Sequence, residues 1–310
     1  MWMYHFRTAL VLSLITLSFP SWAELSFEGI YAIEKDGVRT GYMIQRAEVD
    51  RATKKWTITT YQRSKVNKEG AEDFEVTRAF SRDDSDKLKD SPHLRAWYTP
   101  LEFSHRSVSA DVDETIKASF KGKKIVNVDA TFGKSTKIER TDSIEQPQHS
   151  FLWEFLYYMI NFAKVPAGED QSYVAFSTSS GRYSDGTFRV EGSKKPQGLT
   201  IYHLQDFFEG EDIETFVFDN GDAAGARNVH NKTLVYLVNS RDEAVQGFEF
   251  PQKEMTEIFG DLPDGQKNPN AAAGKKLNLK SVISSFPAAK PTRKPNSEKT
   301  LPDIRSPVPN

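Results

Sequence analysis

The feature that most constrains the fold is a succession of short segments between residues 24 and 146 in which apolar and polar residues alternate. Short polar connectors join these segments. The first two segments, residues 27–33 and 38–46, flank Asp36-Gly37, a pair typical of a tight β-hairpin. Short connectors favour an antiparallel meander, because parallel strands need long crossover connections. The sequence therefore predicts a mainly β chain, with a large curved antiparallel sheet or half-barrel. The predicted strands are 27–33, 38–46, 56–66, 73–80, 94–98, 101–108, 115–120, 124–130, 136–141, 173–176, 187–191, 199–204, 213–218, 233–238 and 244–250.

One apolar, aromatic-rich run, residues 151–163, interrupts the strand pattern. Its apolar side chains recur at helical spacing and leave only a narrow polar stripe, formed by Glu154, Tyr157 and Asn161. We predict a helix over about residues 150–163 that is embraced by the sheet as its one central helix. The run is too short to span a bilayer, which takes about 20 residues.

Two roles for this helix remain open. It fills the core, or it leaves an apolar cavity between helix and sheet that holds an acyl chain or a similar ligand. Under the second hypothesis the ligand-binding candidates are Phe151, Trp153, Phe155, Leu156, Met159 and Phe162.

The first 23 residues have the organisation of a signal peptide. A short segment with one positive charge precedes an apolar stretch at residues 8–19, and residues 20–23 end in small side chains. We expect cleavage after Ala23 and a periplasmic or otherwise extracytoplasmic protein with no transmembrane span after cleavage. An uncleaved anchor is the alternative, although the apolar stretch is short for it. The chain contains no cysteine, so disulfides and lipid attachment through cysteine are excluded.

The C-terminal residues 261–310 differ in composition from the rest. They hold eight of the fifteen prolines and carry a net charge of +5, whereas residues 24–260 carry a net charge of −8. Such a proline-rich, polar composition predicts a disordered basic tail that solubilises the protein or contacts an anionic envelope surface or the acidic body. The predicted organisation is therefore a signal peptide (1–23), a single β-rich domain (24–260) and a disordered tail (261–310).

Known catalytic and metal-binding patterns are missing from the sequence. Residues 132–136 imitate the end of a phosphate-binding loop, but Val128 stands where the first glycine is needed. No serine-nucleophile motif occurs, and the acidic clusters at 83–86, 111–114 and 219–222 lack a complete calcium-loop pattern. Metal-ligand spacing is likewise absent from the histidines of the mature chain, which are His93, His105, His149, His203 and His230. We predict no catalytic residues, no metal, no cofactor and no nucleic-acid partner.

Arginines recur through the N-terminal strands and admit two interpretations. They cover the outer face of the sheet, or they line the concave face and meet an anionic headgroup or glycan. The residues concerned are Arg39, Arg46, Arg63, Arg78, Arg82, Arg95 and Arg106.

The string GIYAIEKDGVRTGYMIQR, residues 29–46, resembles the opening hairpin of DUF3108-like exported bacterial β-rich proteins. The later order, an apolar helix stopped by Pro166 and Gly168 and then more strands, is also similar over most of residues 27–250. The resemblance implies an envelope location and a curved sheet. A similar hairpin occurs in proteins that accompany periplasmic transglutaminase-like domains, but this chain has no cysteine to serve as their nucleophile.

These features lead to a functional hypothesis with two alternatives. The leading one is an exported, non-catalytic cell-envelope protein that binds a lipid, another apolar or amphiphilic ligand, or an envelope protein in the concave face of its sheet, in the manner of lipoprotein-carrier half-barrels. The alternatives are an enzyme acting on envelope polymer and a structural or assembly factor with a filled core. The identity of the ligand and the oligomeric state stay open.

Overall fold

The computed structural model describes residues 23–65, 72–83, 98–109, 113–121, 125–132, 136–143, 166–176, 183–265, 267–274 and 276–290. Fourteen strands form one curved, unclosed sheet in which all paired neighbours are antiparallel. The strands are β1 (Glu24–Lys35), β2 (Val38–Asp50), β3 (Lys55–Lys65), β4 (Glu72–Asp83), β5 (Tyr98–Val108), β6 (Asp113–Lys121), β7 (Ile125–Phe132), β8 (Thr136–Ser143), β9 (Asp170–Phe176), β10 (Tyr183–Lys194), β11 (Ile201–Phe208), β12 (Glu211–Phe218), β13 (Ala223–Asn228) and β14 (Thr233–Leu237). The α-helices in the described ranges are α1 (Arg241–Ala244), α2 (Gln252–Phe259), α3 (Pro269–Ala272) and α4 (Leu279–Ser284).

The sheet is a meander that begins in its own middle. Strands β1 to β8 follow one another outward to one edge, and β9 to β14 run inward from the opposite edge until β14 pairs with β1. The two edge strands, β8 and β9, are therefore consecutive in the chain. Because almost every strand pairs with its sequence neighbour, the sheet is built mainly from hairpins, which confirms the predicted antiparallel fold class.

The strand predictions differ from the structure at two places in the C-terminal half. Strand β13 was missed, because its sequence AAGARN is poor in the branched and aromatic side chains that mark strands. Residues 244–250 are no strand: Ser240 caps helix α1 by accepting a hydrogen bond from the Glu243 amide, and a turn follows at Gly247. The predicted central helix at 150–163 and most of the predicted strand at 94–98 lie outside the described residues.

Residues 239–290, here called the C-terminal cover, lie across one face of the sheet. They contribute Met255, Phe259, Leu277, Ile283 and Phe286 to the same buried cluster as the central strands. The prediction of disorder from residue 261 is thus wrong for the described residues 261–265, 267–274 and 276–290, which contain α3 and α4 and extend the domain beyond residue 260. Apolar side chains spaced through this basic segment bury against the sheet, and that burial offsets the entropy of ordering the chain.

The central strands are buried on both faces. In β1 every residue from Phe27 to Glu34 is buried, and in β11 the residues from His203 to Phe207 are buried. A strand with one face in water would alternate between buried and exposed residues, so both faces of the sheet centre are shielded from solvent. In the described ranges, every helix falls short of the length and apolar character needed to cross a bilayer.

Candidate functional site

The six ligand-binding candidates predicted from the sequence, Phe151, Trp153, Phe155, Leu156, Met159 and Phe162, lie outside the described residues. The site is therefore built from the sheet itself. Its two faces can be told apart from the contacts of the C-terminal cover, because successive residues of a strand point to opposite sides.

One face of the sheet bears the cover. Arg46 donates to the carbonyl oxygen of Phe259, and the His203 ring packs beside the Phe286 ring. The neighbours of these two residues, Gln45 and Leu204, must point the other way. The register places more side chains with them, since Leu204 pairs with Thr215, Asp206 pairs with Phe188, and Gln45 pairs with Gly29, two residues from Tyr31. We call this set the opposite face: Tyr31, Gln45, Phe188, Leu204, Asp206 and Thr215.

The opposite face combines apolar and polar side chains, all of them buried. Tyr31, Phe188 and Leu204 have no exposed area, and Asp206 and Thr215 are each 2% exposed. The Tyr31 hydroxyl donates to the carbonyl oxygen of Ala223 at 2.9 Å, and burial raises the pKa of that hydroxyl well above its usual value. An aromatic and aliphatic surface with a few fixed polar groups is the usual lining of a site for a small molecule or an amphiphile. The sequence predicted a site on the sheet but not these residues, whose only signal was the interleaving of polar and apolar residues in strands such as 201–208.

Four arginines of the N-terminal strands make contacts that neither interpretation from the sequence included. Arg39, Arg46 and Arg78 donate to main-chain carbonyl oxygens of the C-terminal cover, and Arg63 pairs with Glu249 of the same segment. Arg106 forms an exposed pair with Asp113. Arg95 lies outside the described residues. Arg39, Arg46, Arg63 and Arg78 thus bind the protein's own C-terminal segment.

Basic side chains of the sheet donate hydrogen bonds to carbonyl oxygens at the ends of three cover helices. Arg39 donates to the carbonyl oxygens of Glu243 and Ala244 in α1, and Arg46 and Arg78 reach the last turn of α2. Lys194 donates to the Ser285 carbonyl oxygen after α4 at 2.6 Å. The last carbonyls of a helix lack partners within it and carry partial negative charge, so each contact satisfies an unpaired acceptor and stabilises the helix dipole.

A buried ion pair anchors the middle of the cover. The carboxylate of Glu28 and the guanidinium of Arg46 are in direct contact, and their side chains are 1% and 5% exposed. The other oxygen of Glu28 accepts hydrogen bonds from the amides of Asp264 and Gly265, both at 2.7 Å. Burial alone would lower the pKa of Arg46, but Glu28 and Asp261 outweigh it and raise that pKa. The pair thus holds β1, β2 and the cover together.

The described histidines are dispersed over three environments. His105 lies half-buried with Nδ1 at 2.9 Å from the Thr77 hydroxyl, and burial lowers its pKa. His203 is buried with Nε2 at 2.6 Å from a Glu214 oxygen, whereas the side chain of His230 is 72% exposed. His93 and His149 lie outside the described residues. Across the part of the chain that the structure describes, no three histidine or carboxylate side chains are grouped so as to hold a metal ion.

Of the acidic clusters, the one at 219–222 contains a carboxyl group with unusual chemistry. Asp222 lies in the turn between β12 and β13, where the Asn220 amide donates to one of its oxygens at 2.6 Å. Burial raises the pKa of Asp222 to about 7, against an ordinary value of 3.8, and the Asn220 hydrogen bond offsets only part of this rise. The cluster is therefore a turn that contains one carboxyl group with a raised pKa, and it is not a fragment of a calcium loop.

The raised pKa of Asp222 predicts a pH-dependent stability. The folded protein holds a proton that the unfolded chain releases, so the stabilisation is complete below the unfolded pKa and is lost as pH rises through about 7. We expect the wild type to lose about 1 kcal/mol between about pH 5 and about pH 8 from this group, half of the linkage value for that interval because the side chain keeps some solvent contact. Asp222→Asn should remove that loss.

Urea unfolding of the two proteins at both pH values measures this difference. Asp219→Asn, an exposed position of the same turn, is the matched control and should keep the pH dependence of the wild type. Parallel curves for the wild type and Asp222→Asn would contradict the assignment.

Comparison with known proteins finds structural likeness only. Neither a protein-family model nor a curated protein matches the sequence. The chain is similar to a beta-barrel-like protein of the domain of unknown function DUF1849 from Brucella abortus, with 11% identity, a TM-score of 0.49, and coverage of 70% of this chain and 97% of that one. It is also similar to a DUF1089 family protein from Pseudomonas aeruginosa, with 11% identity, a TM-score of 0.32, and coverage of 60% and 88%. The resemblance to DUF3108-like proteins stays a prediction.

Proposed function

We propose that the protein is an exported, non-catalytic binding protein of the cell envelope, whose curved sheet holds an apolar or amphiphilic ligand on the opposite face. The observation that carries the proposal is the composition of that face, where buried Gln45, Asp206 and Thr215 lie among buried Tyr31, Phe188 and Leu204. Polar groups fixed within an apolar surface are the kind of groups that orient a ligand in a binding site.

The cover supports the same assignment of faces. Its helices already occupy the other side of the sheet, so a ligand would meet the opposite face. The apolar run 151–163 connects the two edge strands β8 and β9 in sequence. Under this proposal its aromatic side chains contribute to the ligand site together with the sheet.

The proposed export is compatible with the position of the first strand. Strand β1 begins at Glu24, directly after the expected cleavage position. A mature protein that starts at Glu24 would thus lose no part of the sheet. The first residue of protein purified from the envelope should be Glu24.

Native mass spectrometry of that purified protein tests the proposal. We expect a population with an additional mass that organic extraction removes, and saturable uptake of a fluorescent fatty acid by the extracted protein. Leu204→Trp, which adds volume to the opposite face, should weaken uptake at least tenfold. Val229→Trp, at a residue that is 50% exposed, is the matched control and should bind as the wild type does.

Two results would overturn the proposal. One is a homogeneous ligand-free mass together with no fatty-acid uptake. The other is equal uptake by Leu204→Trp and the wild type, because binding would then occur elsewhere. Thr215→Val, which keeps the volume of the buried side chain, serves as a second variant if the tryptophan disturbs folding, and it should change the selectivity between apolar and amphiphilic probes.

A further inference from the structure

A cleft lies on the covered side of the sheet. It has a volume of about 180 Å³ and lies between β10, β11 and the end of the C-terminal cover, with His203 and Lys194 on the sheet side and Phe286 and Ala289 on the cover side. Gly192 also lines the cleft: it stands directly opposite His203 after a bulge in β10, and a Cβ atom there would meet nothing within 4 Å. We call this space the His203 cleft.

The imidazole of His203 is held rigidly in this cleft. Its ring stacks on Phe216 with centroids 4.9 Å apart and packs against Phe286 at 5.3 Å. Nε2 lies 2.6 Å from a Glu214 oxygen, and Arg227 binds the same carboxylate. Burial alone would raise the pKa of Glu214, but the hydrogen bonds from His203 and Arg227 outweigh it and lower that pKa. Glu214 is therefore ionised near neutral pH.

An ionised Glu214 determines which nitrogen of His203 carries the proton. The carboxylate can only accept, so Nε2–H donates to it, and Nδ1 is the acceptor of the ring whenever the imidazole is neutral. Among the described residues, Nδ1 has no hydrogen-bond partner, although His203 is only 2% exposed and lines the cleft. His203 lines the cleft, so a donor bound there can meet an acceptor on this ring.

The charges around the cleft are already balanced. Arg189 binds Asp170 and Glu191, and Arg227 binds Glu214. The Lys194 ammonium is occupied by the carbonyl and hydroxyl oxygens of Ser285, at 2.6 and 2.9 Å. Three basic side chains thus stand beside three acidic ones, so the surroundings of the cleft carry no excess of either charge.

We propose that the His203 cleft binds a small neutral alcohol or polyol, whose hydroxyl donates to Nδ1 of His203 and whose carbon skeleton packs against Phe286. The volume corresponds to about six water molecules, which suits a molecule the size of glycerol. A free polyol and the glycerol end of a lipid share this chemistry. The inference is independent of the function proposed for the opposite face.

Nuclear magnetic resonance on the full mature chain with isotopically labelled histidine tests the inference. Glycerol and ethylene glycol are the probes, and dimethoxyethane is the matched probe without an O–H donor. We expect a saturable shift of the His203 Nδ1 resonance with both alcohols and none with the ether. The exposed His230 is the internal control and should not shift saturably. A lipid source would be recognised if monoacylglycerol micelles shift His203 at lower concentration than free glycerol does.

A variant that fills the cleft completes the test. Ala289→Leu places a larger side chain at the cleft wall and should abolish the shift, whereas Ala272→Leu, at an exposed position of α3, should preserve it. Shifts that stay linear with concentration, that are equal at His203 and His230, or that persist in Ala289→Leu would overturn the proposal. If Ala289→Leu fails to fold, the comparison of alcohol and ether on the wild type still decides it.

Discussion

Arg46→Met is expected to lower the free energy of unfolding by about 3 to 5 kcal/mol, because it leaves the Glu28 carboxylate buried without its cation. Both side chains are almost fully buried, so water cannot replace the lost partner. The substitution also removes the hydrogen bond to the Phe259 carbonyl oxygen at the end of α2. We therefore expect the cover to detach at lower denaturant concentration than the sheet unfolds. Urea unfolding followed by circular dichroism, with hydrogen exchange of residues 252–265, measures both effects.

The chain offers a matched control for this prediction. Arg51 pairs with Glu24 at 2.5 Å, but the two side chains are 74% and 55% exposed. Arg51→Met should leave the free energy of unfolding nearly unchanged, since water solvates the remaining carboxylate. The double variant Glu28→Gln/Arg46→Met should recover part of the loss, because no uncompensated charge stays buried. Equal effects of Arg46→Met and Arg51→Met would show that the buried pair does not anchor the cover.

Gly225→Ala is expected to destabilise the protein by about 3 kcal/mol, through steric overlap rather than through a lost interaction. A Cβ atom at this position would lie 2.3 Å from the carbonyl oxygen of Val235 and 2.6 Å from Cδ1 of Ile283. Glycine is thus required where β13 is pressed between β14 and helix α4 of the cover. Thermal and denaturant unfolding measure the loss.

Gly210→Ala is the control for Gly225→Ala. Gly210 has a positive φ of 89° in the turn between β11 and β12, but a Cβ atom there has no neighbour within 4 Å. The cost should be about 1 kcal/mol, from the backbone conformation alone. Adding Ile283→Val to Gly225→Ala should restore part of the stability by removing one of the two overlapping groups. If Gly225→Ala cost no more than Gly210→Ala, the close approach of the cover to β13 would be refuted.

Local pattern in the sequence was enough to predict the antiparallel meander. Asp36-Gly37 and the short polar connectors specify hairpins between sequence neighbours, and nearly every pairing in the sheet is of that kind. Strand β13 escaped prediction because small residues such as Ala223 and Gly225 form a strand only where their neighbours crowd them. Residues 244–250 were predicted to be a strand because apolar and polar residues alternate there. The Ser240 cap and the turn at Gly247 override this alternation.

The predicted disorder of the C-terminal cover is the largest difference between the prediction and the structure. Its prolines and basic charge are typical of a disordered tail, and composition alone does not show that Leu277, Ile283 and Phe286 have an apolar surface to bury against. The contacts that hold it are also long-range: Arg39 and Arg46 meet carbonyl oxygens about 200 residues away in the chain. From the sequence alone, an arginine that contacts the cover cannot be distinguished from one that is exposed on a strand.

The sequence by itself determined the fold class, the hairpin order and the absence of cysteine chemistry, because these depend on residue type and on spacing between near neighbours. Only the tertiary structure decided which face of each strand meets the cover, which arginines cap its helices, and that His203, Glu214 and Phe286 surround one cleft. Those properties depend on the register of non-local strands and on the path of residues 239–290. No local periodicity encodes either of them, since a single residue of register shift would exchange the two faces of a strand.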